Sequence, residues 1–266
     1  NWMASPEHPL TARVFANRVW HHLFGKGIVA SVDNFGHMGR LPTNQPLLDH
    51  LAVRFVEEGW SMKKLIREIV LSRTYQLSTA TGAQAKVDLE NELHWRQNRR
   101  RLQAESIRDA ILSVSGQLDK TMGGPTIKAG TSIEYGYKFD DTRRSLYTPV
   151  FRNTPLEILA VFDFADPNLV VGERTTSSVP TQALFLMNNP FVRQQTAAAA
   201  ARLLQDDLSD DSARIAQAYR RTLGRRPTST EHDVILNFVQ SEKDPTTAWT
   251  QVLHGLVASL DFRFLN

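Results

Sequence analysis

The chain has 266 residues, 41% hydrophobic and 22% charged, with a formal net charge of +3 and an isoelectric point near 9.3. That much apolar side chain buries a sizeable core and excludes a disordered chain, and the length falls near the upper end of what one core supports. The absence of cysteine excludes disulfides, thiolate metal sites, thiol catalysis and covalent c-type haem attachment within these residues.

No run approaches the roughly 18 apolar residues of a membrane span, so none is expected. Asn1-Trp2-Met3-Ala4 lacks the charged start and apolar stretch of a signal peptide. The length suits one domain over residues 1–266, and a start almost directly before a helix signal reads as a fragment of a longer protein. Any subdivision is expected near 79–87, because Thr79 to Lys86 is small and polar.

The first helix is announced by Ser5-Pro6-Glu7-His8-Pro9, turns Leu10, Val14 and Phe15 to one face, and stops at Gly25. A glycine-bearing loop leads to Pro46, after which Leu47, Leu48, Leu51, Ala52, Phe55 and Val56 repeat at helical spacing until Gly59. Ser61 caps a third helix with the stripe Met62, Leu65, Ile66, Ile69 and Val70. Helix is expected again from Asp88 through Leu93, Trp95 and the basic run Arg99-Arg100-Arg101. The next helix carries Ala104, Ile107, Ile111, Val114 and Leu118 and is broken by Gly123-Gly124-Pro125. From Ile133 to Phe139 the pattern alternates strictly, predicting one arm of a small hairpin whose other arm runs from Leu146 to Phe151. Helices resume at Pro155, Pro180 and Pro190, and then near Ser209, Thr228 and Thr246, with Thr228 and Glu231 at capping-box spacing. The expected fold is mainly α, an irregular multi-helix bundle with one small β-hairpin.

No catalytic signature completes itself. The eight histidines hold no i, i+4 pair around a glutamate, and adjacent His21 and His22 point about 100° apart on a helix, so no metal site is expected. Lys26 lies between two glycines but lacks the hydroxyl residue of a phosphate-cradling loop. Trp95 to Arg101 reads as a solvated helix face with Glu92 and Gln103 nearby, and the net charge is too small for a dedicated nucleic-acid protein. Asp163 and Asp166 could serve glycoside hydrolysis as acid and base or bind calcium with loop carbonyls, or else close a helix end as a cap or as partners of arginines, with Arg143, Arg144, Arg152 and Arg174 close in sequence.

The stretch from Arg143 to Val192 sets Arg, Asn, Gln and Tyr among aromatics and prolines, where an ordinary core would be plainly apolar. Amides, guanidinium groups and phenols read sugar hydroxyls and anions in clefts. They can equally stitch a bent helix junction whose carbonyls lack partners. The candidate ligand-binding residues are Arg143, Arg144, Tyr147, Arg152, Asn153, Gln182, Asn188 and Asn189, lining the floor of the main polar cleft.

Four phrases, HPLTARVFANRVWHHLFGKGIV, NRRRLQAESIRDAILSVSGQLD, RRSLYTPVFRN and SVPTQALFLMNNPFV, together resemble the planctomycete-specific domain one family, a domain of unknown function, over nearly all the chain. The resemblance implies a C-terminal module of large secreted, periplasmic or cell-surface proteins, usually preceded by a companion domain and often by a cytochrome-c-like domain. This chain lacks Cys-X-X-Cys-His, so haem would belong upstream and no cofactor is expected here. The family supplies no reaction. The expectation is a non-catalytic binding or scaffolding module with an anionic glycan as candidate ligand. The alternatives are a polysaccharide hydrolase using Asp163 or Asp166 and a docking surface for a cytochrome-like neighbour.

Overall fold

The computed structural model describes residues 2–5 and 7–265; Pro6, part of the expected first start signal, and Asn1 lie outside the described residues. About half of the chain is helical, as its periodicities predict. Two compact units emerge, one ending at Arg100 and one spanning Arg101–Leu265. Among the described residues no helix is long and apolar enough to cross a membrane.

The first unit contains α1 (Thr11–Phe24), α2 (Gln45–Glu57) and α3 (Met62–Leu71). Their apolar stripes meet in one core built on Ala16, Trp20, Phe24, Leu48, Leu51, Phe55, Leu65 and Ile69. Gly25 ends α1 in the left-handed conformation, and Asn44 and Ser61 cap α2 and α3 by accepting from backbone N–H groups. Fully buried Asn17 donates to the Val29 carbonyl at 3.0 Å and accepts from its N–H at 2.8 Å, which pins the loop after α1. A side chain at Gly27 would meet the Val29 carbonyl oxygen at 2.5 Å, so only glycine lets that loop close.

The helix expected from Asp88 does not form. Asp88 accepts from the Glu92 and Leu93 N–H groups, and Asn91, buried and in the left-handed region, bonds the Arg96 carbonyl and Asn98. Short polar side chains thus capture backbone groups that a helix would use. The basic run consequently has no helical face, and Lys26 is paired with Glu92 at 3.0 Å.

The second unit contains α4 (Ala104–Ser115), α5 (Glu157–Val161), α6 (Pro180–Asn188), α7 (Pro190–Gln205), α8 (Asp211–Leu223), α9 (Ser229–Ser241) and α10 (Pro245–Ala258). Its axis is α7, against which α4 and α10 pack; Ala199 and Ala200 let Trp249, Leu253 and Ile111 join one core. α4 ends three residues before Leu118, because Gly116 takes φ +79° and closes the helix ahead of Gly123-Gly124-Pro125.

Strand appears among the described residues only as β1 (Arg100–Arg101) and β2 (Phe264–Leu265), paired antiparallel. The alternating stretch Ile133–Phe139 is not a strand. Gly136, at positive φ, breaks it with a turn, a second turn at Gly130 precedes it, and Tyr137, Phe139 and Phe151 meet as an aromatic cluster with ring centroids 5.0 to 6.1 Å apart.

The capping box at Thr228 forms as its spacing predicts, and Arg225 joins it by bonding Glu231 and Asp261. The Arg225 hydrogen bonds and the cap hold the Glu231 carboxyl at about 2, against an ordinary value of 4.5. Because the folded value lies below the unfolded one, this stabilisation is complete above about pH 4.5 and is lost as pH falls toward 2. In acid titrations followed by circular dichroism, Glu231→Gln is expected to be less stable than the parent at pH 7 and to converge on it near pH 2.

Candidate functional site

Between α4 and α5 the chain leaves the helices from Gly116 to Leu156, with only a 3₁₀ turn at Ser145–Tyr147 as regular structure. Long stretches of this kind in a compact domain are usually functional or disordered. This one is anchored. Arg108 on α4, 4% exposed, donates to the carbonyls of Asp141 and Arg143 (2.8 Å) and to Ser145 Oγ (3.3 Å). Asp109 beside it accepts from Ser145 N–H and Oγ–H at 2.8 and 2.7 Å. Burial holds the Arg108 pKa below its ordinary value, and the nearby Asp109 and Asp141 charges only partly oppose that shift.

Arg143 in turn holds the outgoing limb. Its guanidinium donates to the carbonyls of Gly123 and Pro125, and it lies 4.0 Å above the Tyr147 ring, whose hydroxyl accepts from Gly123 N–H at 2.8 Å. Arg144 approaches the same ring at 5.7 Å. These three predicted residues are therefore brought together, chiefly to clamp the excursion's two limbs.

Beyond the clamp the tip is open. Lys128 to Asp140 line a hollow of about 380 Å³, with Tyr137 and Lys138 in its lining and Tyr135 63% exposed. Lys128 is taken up by Asp140 and the Lys138 carbonyl, whereas the exposed Lys138 side chain makes no hydrogen bond among the described residues and only adds its charge near Asp140. Asn153 donates to Glu134, and Phe151 touches Tyr137 and Phe139, so Arg152, exposed between them, stands beside the tip.

The other predicted residues lie elsewhere. Gln182 is fully buried and donates toward the Val161 carbonyl (3.2 Å), Ser177 Oγ (3.2 Å) and Asp163 (3.4 Å). Asn188 bonds the Leu184 carbonyl of its own helix, while Asn189 caps α7 and donates to Glu157 at 3.0 Å. None of the eight lines the tip hollow or a groove between α7 and α10.

Asp163 pairs with Arg101 at 2.7 Å and accepts from Ser177 N–H and Oγ–H, both at 2.8 Å; the partner expected from sequence proximity is replaced by an arginine far upstream. Burial raises its pKa, but the two Ser177 bonds and Arg101 outweigh burial and hold the carboxyl below its ordinary value. A carboxylate so supplied with donors is poorly placed to give a proton to a leaving group. Asp166 is exposed and accepts from its neighbour Asn168, and Arg174 pairs with Glu105 at 2.8 Å. Arg101 and Arg108 escaped sequence reasoning, although Arg108 gives a signal: it stands one turn from Ala104 and Ile111, on the buried side of α4.

A serine, a histidine and an aspartate do line up between α8 and α9: His232 Nε2 is 3.1 Å from Ser212 Oγ and His232 Nδ1 is 3.2 Å from Asp233. Asp233 is 72% exposed and adjacent to His232, so water competes for its carboxylate and nothing fixes the imidazole as a buried acid would. The trio ties two helix starts. Among the described residues no three His, Asp or Glu side chains are grouped to hold a metal ion.

Residues 1–239 match PSD1, described as a protein of unknown function (DUF1553). The chain belongs to the PSD1 family. No curated protein and no solved structure matches it. The PSD1 match takes in the whole excursion with its Arg108 clamp and stops inside α9, yet the core of the second unit also needs Trp249, Leu253 and Val257 of α10.

Proposed function

We propose that this PSD1 chain is a non-catalytic recognition module of an exported protein and that the tip of the 116–156 excursion is its binding surface for an anionic glycan. The observation that carries this reading is the contrast within the excursion. Its limbs are fixed by a buried arginine and a tyrosine–arginine clamp, while its tip leaves Tyr135, Lys138 and Arg152 exposed. Holding a long segment rigid in order to display aromatic and cationic groups lowers the entropy cost of binding a flexible polymer. An exposed tyrosine offers a face for a sugar ring, and Lys138 and Arg152 offer charge for carboxylate or sulfate groups. Arg143, Arg144 and Tyr147 act as positioning residues here, and Asn153 steadies Arg152. The resemblance noted above supports export and an upstream cytochrome-c-like domain as neighbour.

Isothermal titration of the full chain against polygalacturonate, a sulfated glucan and neutral dextran tests this. Micromolar to millimolar binding of the charged polymers, weakened by added salt and absent for dextran, is expected. Equal binding of dextran, or no binding of any polymer at millimolar repeat-unit concentration, would overturn the reading.

A further inference from the structure

A groove of about 480 Å³ lies between α7 and α10 of the second unit, and no residue of the excursion lines it. Its lining is unusual in charge: α7 contributes Arg193 and Gln194, α10 contributes Thr247, Thr250, Gln251 and His254, and no carboxylate lines it. Arg193, Gln194, Thr250 and Gln251 have no side-chain partner among the described residues, although most other arginines of this unit are bonded to a carboxylate or a carbonyl. The acid flanking the groove, Asp244, is occupied: it accepts from Thr246 N–H, Thr247 N–H and the Thr247 hydroxyl as the cap of α10.

His254 adds the opposite polarity. Its Nε2 lies 3.0 Å from the Leu186 carbonyl, which can only accept, so Nε2 carries the proton and a neutral ring keeps Nδ1 as an acceptor. The groove therefore combines an unpaired guanidinium, two amides, a free hydroxyl and a ring acceptor without a competing anion.

We infer that the groove between α7 and α10 is a binding site for a small oxyanion that carries neighbouring hydroxyl groups, of the sugar-acid class, with Arg193 receiving the carboxylate. The guanidinium supplies the planar donor pair that a carboxylate fits. Gln194, Gln251, Thr250 and His254 pair with hydroxyls, which bare inorganic anions lack. The inference stands on the groove alone and is independent of the tip.

Glucuronate and inorganic sulfate, each titrated into the isotope-labelled full chain, test it by nuclear magnetic resonance. Glucuronate is expected to shift the amides of Thr247, Thr250 and Gln251 and the Arg193 Nε–H signal, and to bind at least about tenfold tighter than sulfate. Arg193→Gln should weaken glucuronate by about tenfold or more and leave the melting temperature unchanged, while Tyr135→Ala should have no effect on these shifts. The site is overturned if glucuronate at tens of millimolar moves none of these signals or if Arg193→Gln binds like the parent. Equal affinity for sulfate and glucuronate would overturn the hydroxyl-reading role.

Discussion

Replacing Arg108 by methionine is expected to cost about 3 kcal/mol of stability and to lower the melting temperature by roughly 10 °C. Methionine fills much of the volume but gives no donor to the carbonyls of Asp141 and Arg143, and it leaves the Asp109 carboxylate without its neighbouring cation. Each buried acceptor left unpaired costs roughly 1–3 kcal/mol, which a gain in apolar contact only partly offsets. The effect has a local signature as well. With the anchor gone, limited proteolysis should cut the excursion near Gly123-Gly124 or Gly130 much faster than in the parent, with the helices surviving. Arg108→Lys should rescue little, because one ammonium cannot span three acceptors that the guanidinium fork reaches together. A variant that melts like the parent and resists protease equally would show that the excursion is held by something else.

The second large effect is expected at Asp163. Asp163→Asn leaves the Arg101 side chain, 5% exposed, without its counter-charge and weakens the hold on Ser177, at a cost of about 3 kcal/mol. The sign of its pH dependence is fixed by the lowered carboxyl value. The ionised group stabilises fully above its unfolded value near 3.8, and that contribution is lost as pH falls through the lower folded value. Parent and variant should therefore differ most at neutral pH and converge in strong acid. Melting curves recorded from pH 7 down to pH 2 check this, and a difference that is constant over that range would contradict the ion pair.

Which features the sequence reveals follows from how local their causes are. Helix ends at Gly25, Ser61 and Thr228 depend on residues within one turn, so their spacing predicts them. Residues 88–99 mislead because Leu93, Trp95 and the basic run after them suggest an amphipathic segment, whereas Asp88 and Asn91 draw the backbone into turns. Ile133–Phe139 alternates like a strand but has no partner arm, since glycines and the Tyr137, Phe139 and Phe151 cluster decide its shape. In the central stretch, Arg143 and Tyr147 stand out as polar residues in an odd place, while the groups that explain them, Arg108 and Gly123, lie 35 and 24 positions away. Gln182 and Asp163 likewise depend on Arg101, 62 positions upstream of the aspartate. Long-range pairing of this kind leaves no period in the chain.

The account's central claim is that a rigid excursion displays its tip to an anionic glycan. The most direct measurement is the affinity of a double variant, Tyr135→Ala with Lys138→Glu, for the charged polymer that binds the parent best. Both side chains are exposed and the Arg108 clamp is untouched, so the variant should melt like the parent while its affinity falls by about tenfold or more. Undiminished affinity in a normally folded variant would contradict the claim.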